Sequence, residues 1–326
     1  MKRIIFILTM VMLAACTGDK KQAPRLGKAQ SAPFELLLVT NKDWLSTQTG
    51  QALKVVLNSP IAGLPQPEPH FRLTTINPND FDGIFRFYAN ILMVSVGSDH
   101  PESKVYLQKE VYCKDQLIIK IEAPDDESLM TIIRQNAATI LDNFDEQEIK
   151  RERLLLKKTY SGQVQSQAKK QFGASIKAPQ DIDDIKVGKD FFWASASKQE
   201  FKTNVCMYVL PLRDMTLDDF VASRDSVMKI NIPGDREDQW METDARTVTF
   251  KSRTIEETGQ SVIEVRGLWD MRHDAMGGPF VSYVFTDGVN NRLLIAEGFV
   301  FAPTEDKRAM IRQLEASLQS LELPSK

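Results

Sequence analysis

Cys16 has the most sharply defined chemical setting in the chain. Met1 to Cys16 read MKRIIFILTMVMLAAC. Lys2 and Arg3 give a positive start, and Ile4 to Ala15 form an unbroken apolar run. A membrane-crossing helix needs about 20 apolar residues, so this run is too short to span and has the form of a signal-peptide core. It ends in Leu13-Ala14-Ala15-Cys16, small residues that suit a peptidase cutting ahead of a lipid-bearing cysteine. The thiol would carry acyl chains of the palmitate class. Stable anchoring takes more than one chain, each buried methylene contributing about 0.8 kcal/mol. The competing reading is an ordinary signal peptide cleaved near Ala15, with Cys16 incidental. Thr17 rather than Asp follows the cysteine, which by analogy with known sorting rules favours the outer membrane over the inner one.

The second chemically unusual stretch is Glu264 to Tyr283, EVRGLWDMRHDAMGGPFVSY. Trp269, Asp270, Arg272, His273 and Asp274 lead into Gly277 and Gly278, making a candidate binding loop. Trp269 could stack on a ligand or anchor a partner. Arg272 and His273 could hold an anion, and paired glycines give the backbone unusual freedom. A plain alternative stands beside this: a wide hairpin connection with Trp269 in the core and the charges in water. The tract Pro65-Gln66-Pro67-Glu68-Pro69-His70 reads as a stiff extended loop or a polyproline docking segment. The basic run Lys150, Arg151, Arg153, Lys157 and Lys158 reads as a solvated helix face before a lipid-facing one.

Signatures of known catalytic chemistry are missing. The chain has no G-x-S-x-G elbow, no phosphate loop and no G-x-G-x-x-G fingerprint. His70, His100 and His273 have no histidine or cysteine at ligand spacing, so neither a metal nor another cofactor is expected. With 44 acidic residues, a catalytic carboxylate pair stays open, but nothing selects one. The net charge of −3, more negative still without Lys2 and Arg3, argues against a nucleic-acid partner. Cys113 and Cys206 could pair in an oxidising compartment or lie as two buried free thiols.

These residues need elements to position them. Residues 1–15 are expected to be a signal peptide, and 16–33 a polar tether without periodicity. Residues 34–172 and 173–326 are expected to form two α+β halves. Strands are predicted at Phe34–Thr40, Phe71–Ile76, Ile91–Val96, Lys104–Tyr112, Gln116–Ala123, Phe191–Ala196 and Thr203–Leu210. A meander follows at Arg246–Arg253, Ser261–Trp269, Phe280–Phe285 and Arg292–Phe301. Helices are predicted over Asp43–Asn58, from Asn77-Pro78 through Tyr88, and after Pro124 in a charged stretch running to about Gln171. Two more follow Thr216 and Thr304 as caps. Both Ala123-Pro124 and Ala302-Pro303 end a strand and lead into an amphipathic helix carrying Ile-Arg-Gln. That echo raises a duplication. The fold class expected is α+β, with largely antiparallel sheets and helices packed on one face.

Gly267-Leu268-Trp269 with Met276-Gly277-Gly278-Pro279-Phe280, together with the lipobox and the Pro-Gln-Pro-Glu-Pro tract, resembles an uncharacterised lipoprotein family of Bacteroidetes-type bacteria. The likeness runs from about Phe34 to the end. The family is a domain of unknown function, so the resemblance transfers no catalytic residue. It implies the cell envelope and a lipid anchor. Many lipoproteins of such bacteria face outward, favoured by acidic residues soon after the lipid cysteine, but Asp19 followed by Lys20 and Lys21 is a poor version of that signal, so the periplasmic face is favoured over surface exposure. The function expected is a lipid-anchored, non-catalytic binding or assembly protein. It would hold an envelope protein or glycan and touch the membrane only through its lipid. The alternative is a hydrolase of a cell-wall or glycan substrate using unidentified carboxylates.

Overall fold

The computed structural model describes residues 26–196 and 202–325. The segment expected to be a signal peptide, Cys16 and most of the expected tether lie outside the described residues. The chain is α+β, with five helices and two sheets among the described residues. It divides into two compact units. The first holds the described residues through Pro60 together with Pro69–Glu148, and the second holds Ile61–Glu68 and everything from Ile149 onward.

The first unit is built on strands β1 (Glu35–Val39), β2 (Arg72–Ile76), β3 (Asn90–Val96), β4 (Lys104–Lys109) and β5 (Leu117–Ala123), in the order β2-β1-β3-β5-β4. Three of its four pairings are parallel; only β4 runs antiparallel, to β5. Parallel strands are covered on both faces and therefore read as continuous apolar runs, as ELLLV and LIIKIEA do here. Leu36, Leu38, Leu92, Ile119 and Ile121 pack against helix α1 (Gln48–Leu57) and helix α2 (Asp126–Leu156) through Leu53, Leu57, Leu129, Ile133 and Phe144. Leu37, Val39, Ile91 and Ile118 face the other way, against Phe81, Phe85, Tyr88 and Tyr112.

That second layer is not helical as predicted. Pro78–Asp80 and Gly83–Phe87 form two short 3-10 turns. Asn77 does not cap them, because its side-chain oxygen accepts from the Lys42 amide instead. The first helix also starts later than expected, at Gln48, where the Thr47 hydroxyl accepts from the Gly50 amide.

The second unit is a seven-stranded sheet of entirely antiparallel pairings. Its strands are β6 (Ile182–Gly188), β7 (Phe191–Ala196), β8 (Lys202–Pro211), β9 (Met241–Ile255), β10 (Gln260–Met271), β11 (Gly277–Asp287) and β12 (Arg292–Phe301), in the order β6-β7-β8-β12-β11-β10-β9. Over both sheets, antiparallel pairing predominates, and all the parallel pairs belong to the first. The helices are α3 (Gly162–Phe172), α4 (Leu217–Asn231) and α5 (Arg308–Leu318). Side chains alternate across a strand, so Leu294, Ala296 and Val300 of β12 meet α3 and α5, while Leu293, Ile295 and Phe299 turn to the face holding α4. Helices thus cover both faces of this sheet, where one was expected. The Ala-Pro echo marks a shared junction at the ends of β5 and β12, in sheets whose strand orders differ.

Candidate functional site

On its α4 side, the seven-stranded sheet carries a cavity of about 690 Å³, within the 300–1,000 Å³ of typical ligand sites. Its floor comes from β6 to β8 and from β12 and β10: Asp184, Lys186, Trp193, Asn204, Phe299 and Trp269. Its other walls are the end of α4, the segment 232–235 with Gln239, and the turn between β10 and β11 through Asp274 and Met276. All lining residues belong to the second unit.

The β10–β11 hairpin explains its own sequence. Across the ladder Gly267 faces Phe280, Leu268 faces Pro279 and Trp269 faces Gly278. Each large ring therefore lies opposite a glycine. A Cβ on Gly278 would come within 2.0 Å of the Val300 carbonyl oxygen and 3.2 Å of Trp269 Nε1. The missing side chain lets the indole cross β11 and meet Phe299 edge-on, with ring centroids 5.8 Å apart, and Phe301 at 6.4 Å. Gly267 likewise makes room for the Phe280 ring, 3.1 Å from where its Cβ would be. Gly277 and Gly278 stand in an extended strand, and neither has a positive φ. What they supply is space; the backbone freedom expected of them is not used.

The candidate loop separates into a core residue and a docked turn. Trp269 is buried in the apolar cluster beneath α4. Asp270, Arg272, His273 and Asp274 are exposed. The turn, with His273 at φ 57°, sits on the segment after α4. Gln239 Nε2 donates to the His273 carbonyl at 3.1 Å and to Asp274 at 3.1 Å, and Arg236 donates to the same carbonyl at 2.9 Å. His273 Nδ1 lies 2.8 Å from Asp238. Hydrogen bonding from His273, then from Arg236, holds the Asp238 carboxyl below the usual carboxylate range. Arg272 lies 4.7 Å over the Trp240 ring, which Lys229 also approaches at 3.9 Å. The histidine and the acids thus build the turn that walls the cavity.

Most polar groups in the cavity are already engaged. Asn204 accepts from Trp193 Nε1 at 2.9 Å and donates to the Lys202 and Phe299 carbonyls. Gln239 accepts from the Arg236 amide. Trp269 Nε1 is different: the indole N–H is buried and has no hydrogen-bond partner. A buried donor left without an acceptor costs about 1–3 kcal/mol; this one lies against β11, 3.2 Å from where a Cβ on Gly278 would stand. Trp193, Phe299, Phe301, Asn204 and Gln239 did not stand out in the sequence, because nothing short of the strand order brings residues from β7, β8 and β12 to one floor. Among the described residues, no group of three or more His, Cys, Asp or Glu is placed to hold a metal.

Other singled-out residues have internal partners. Cys113 and Cys206 are both buried free thiols, and burial pushes the Cys206 thiol well up. Arg153, from the basic run, is buried and donates to Gln319 at 3.1 Å and to Glu257 at 2.8 Å. Glu68, in the proline-rich tract, is buried, and its carboxylate accepts from the Lys307 and Arg308 amides at 2.8 and 2.9 Å. It therefore caps α5, where Thr304 was expected to. Among the described residues, no helix is long and apolar enough to cross a membrane.

Residues 161–320 match a family described as a domain of unknown function, DUF4837, and residues 29–157 match a second one, DUF8532. No curated protein matches the chain. A solved structure of a mutant of the protein Mog1 is 11% identical, with a TM-score of 0.31, covering 47% of this chain and 92% of its own.

Proposed function

We propose that this chain is a lipid-anchored binding protein of the cell envelope. In this reading it is held at the outer membrane through Cys16, faces the periplasm, and captures its ligand in the cavity of the seven-stranded sheet. The observation that carries this is the cavity itself: about 690 Å³, floored by Trp193, Trp269, Phe299 and Phe301 and walled by a turn fixed to the segment after α4. An enclosure with an apolar floor and a few convergent polar groups is the usual form of a small-molecule site. Its aromatic rings give contact area at little entropic cost. The Leu13-Ala14-Ala15-Cys16 sequence supports the anchor.

The test has two parts. Cells expressing the full chain are labelled with a radioactive acyl precursor and fractionated. Label on the protein in outer-membrane fractions, lost in Cys16→Ala, is expected. The chain purified in detergent-free buffer without its first 16 residues is then titrated with the apolar dye 1-aminoanthracene. Saturable binding at one site, abolished when Ser195→Trp fills the cavity, is expected. No saturable binding, or release of sugars from purified cell wall by the protein, would sink the binding reading, the second outcome in favour of the hydrolase.

A further inference from the structure

The polar groups of the cavity narrow the ligand. Lys186, Lys202, Asp184 and Asp235 line it. Asp184 and Lys186 alternate on β6, with Asp184 opposite Ser195 and Lys186 opposite Trp193. Lys202 and Asn204 follow on β8, beside Ser195. One flank of the floor is therefore polar. The other is apolar, with Trp269, Met271, Met276, Phe299 and Phe301.

Among the described residues, Lys202 Nζ reaches the Ala196 carbonyl, at 3.3 Å, and Lys186 Nζ lies 4.6 Å over the Trp193 ring. Among the described residues, neither lysine meets a carboxylate within ion-pair distance, and neither Asp184 nor Asp235 meets a cation. Asp274 is already bonded to Gln239 and the Ala275 amide. Among the described residues, Lys186, Lys202 and Asp184 thus stand on this flank without an ion-pair partner, and Asp235 stands on the wall formed by the segment after α4. At the apolar flank stand the Trp269 ring and two exposed apolar side chains of the lining, Ile230 and Met276.

From this arrangement we infer that the cavity takes a single-chain amphiphile with a zwitterionic head. The chain would lie against Trp269, Phe299 and Phe301. The head's anionic group would meet Lys186 and Lys202, and its ammonium would meet Asp184 and Asp235. A purely anionic amphiphile satisfies the lysines but sets its charge against two carboxylates. A neutral one brings no countercharge to any of the four. The inference rests on the ligand-holding reading of the same cavity.

The test is a titration of the purified chain with four probes, followed by displacement of 1-aminoanthracene. They are a lysophosphatidylethanolamine below its micellar concentration, laurate, monolaurin and phosphoethanolamine. The expected order places the lysophospholipid first, at least tenfold tighter than laurate or monolaurin, with phosphoethanolamine alone not binding. Lys186→Gln with Lys202→Gln, neither of them buried, is expected to remove that advantage and leave monolaurin unchanged. Equal affinity for lysophospholipid and laurate, or no effect of the double lysine variant, overturns the zwitterion inference while the cavity reading stands. Failure of every probe and of the dye overturns both.

Discussion

The two sheets solve the problem of covering their faces differently. In the first unit, the buried side chains of β1, β3 and β5 that face α1 and α2 are hydrocarbon apart from Asn90. Among its buried carboxylates, Glu148 accepts from the Phe34 amide at 3.0 Å and Asn90 at 2.6 Å, and Asp145 meets His70 at 2.7 Å. The second unit carries buried charge on both faces of its sheet. On one face, Arg224 of α4 forms a two-pronged bond to Glu297 of β12, with contacts of 3.0 and 2.7 Å, and Ser282 donates to the same carboxylate at 2.6 Å. On the other face, Arg266 reaches Glu264 at 2.8 Å and Glu315 of α5 at 2.5 Å, while Arg312 and Arg253 complete the set. Hydrocarbon packing tolerates sliding, whereas a buried ion pair fits one register only. In the second unit α4 and α5 are therefore tied to fixed positions on the sheet, and α4 leads into the segment that walls the cavity.

Removing one partner of the α4 pair gives the largest effect expected in the chain. In Arg224→Leu, Glu297 remains buried with only Ser282 to solvate it, and a stranded buried charge costs about 3–5 kcal/mol. Denaturant unfolding and hydrogen exchange of β11 and β12 amides report it. Arg224→Met combined with Glu297→Leu is expected to recover most of the loss, because two apolar groups need no partner. A double variant as unstable as the single one contradicts this account. Leu53→Ala, in the first unit, leaves a cavity with no stranded charge and offers no partner whose replacement would restore stability.

The second effect is acid sensitivity. Burial alone would raise the pKa of Glu264, but the Arg266 charge, its hydrogen bond and Arg253 outweigh burial and bring it down to about 2. Glu315 is buried too, and Arg266, Arg312 and Arg253 hold it below the usual carboxylate range. A carboxylate with a depressed folded pKa contributes stability above its unfolded value. That contribution fades as pH falls from about 4.5 toward the folded value. With one pKa unit worth about 1.4 kcal/mol, the Glu264 shift corresponds to a loss on the order of 3 kcal/mol. Exchange protection in β10 and β11 is therefore expected to fall more steeply below about pH 4.5 than protection in β3 and β5. Parallel slopes in the two sheets would falsify the assignment of these carboxylates.

Legibility in the sequence follows the same division. Strands β1, β3 and β5 are readable because burial on both faces leaves a plain apolar run. The long meander is readable because its alternation and its turns, such as Gly259 at φ 67°, are local signals. Thr216 is readable as a cap, since its capping box closes within three residues on Asp219. The edge strand β6, IDDIKVG, was not: a half-exposed edge with two adjacent aspartates looks like a loop. The turns around Phe81 and Phe85 have helical spacing but cover a sheet face as 3-10 pieces. The candidate site was half legible. The hairpin of Trp269 and Gly278 carries an unusual composition, whereas the cavity floor on β7, β8 and β12 exists only once the strand order does.

The smallest effect concerns the α5 cap, where local and distant signals compete. Thr304 sits where a capping residue belongs in sequence, yet the helix begins at Arg308, and its N-cap, Lys307, makes no side-chain cap bond. The carboxylate of Glu68 accepts from the Lys307 and Arg308 amides instead, combining a cap with a negative charge at the positive helix end. Glu68→Gln keeps an acceptor and removes the charge, for which a loss of about 0.5–1 kcal/mol is expected. Glu68→Ala removes both and is expected to cost about 1–2 kcal/mol. Thr304→Ala is expected to change stability by no more than about 0.5 kcal/mol, as a surface substitution does. Thermal unfolding of the three variants orders them. If Thr304→Ala matches Glu68→Ala, the helix is capped locally, and the proline-rich tract is a surface loop after all, free to meet a partner.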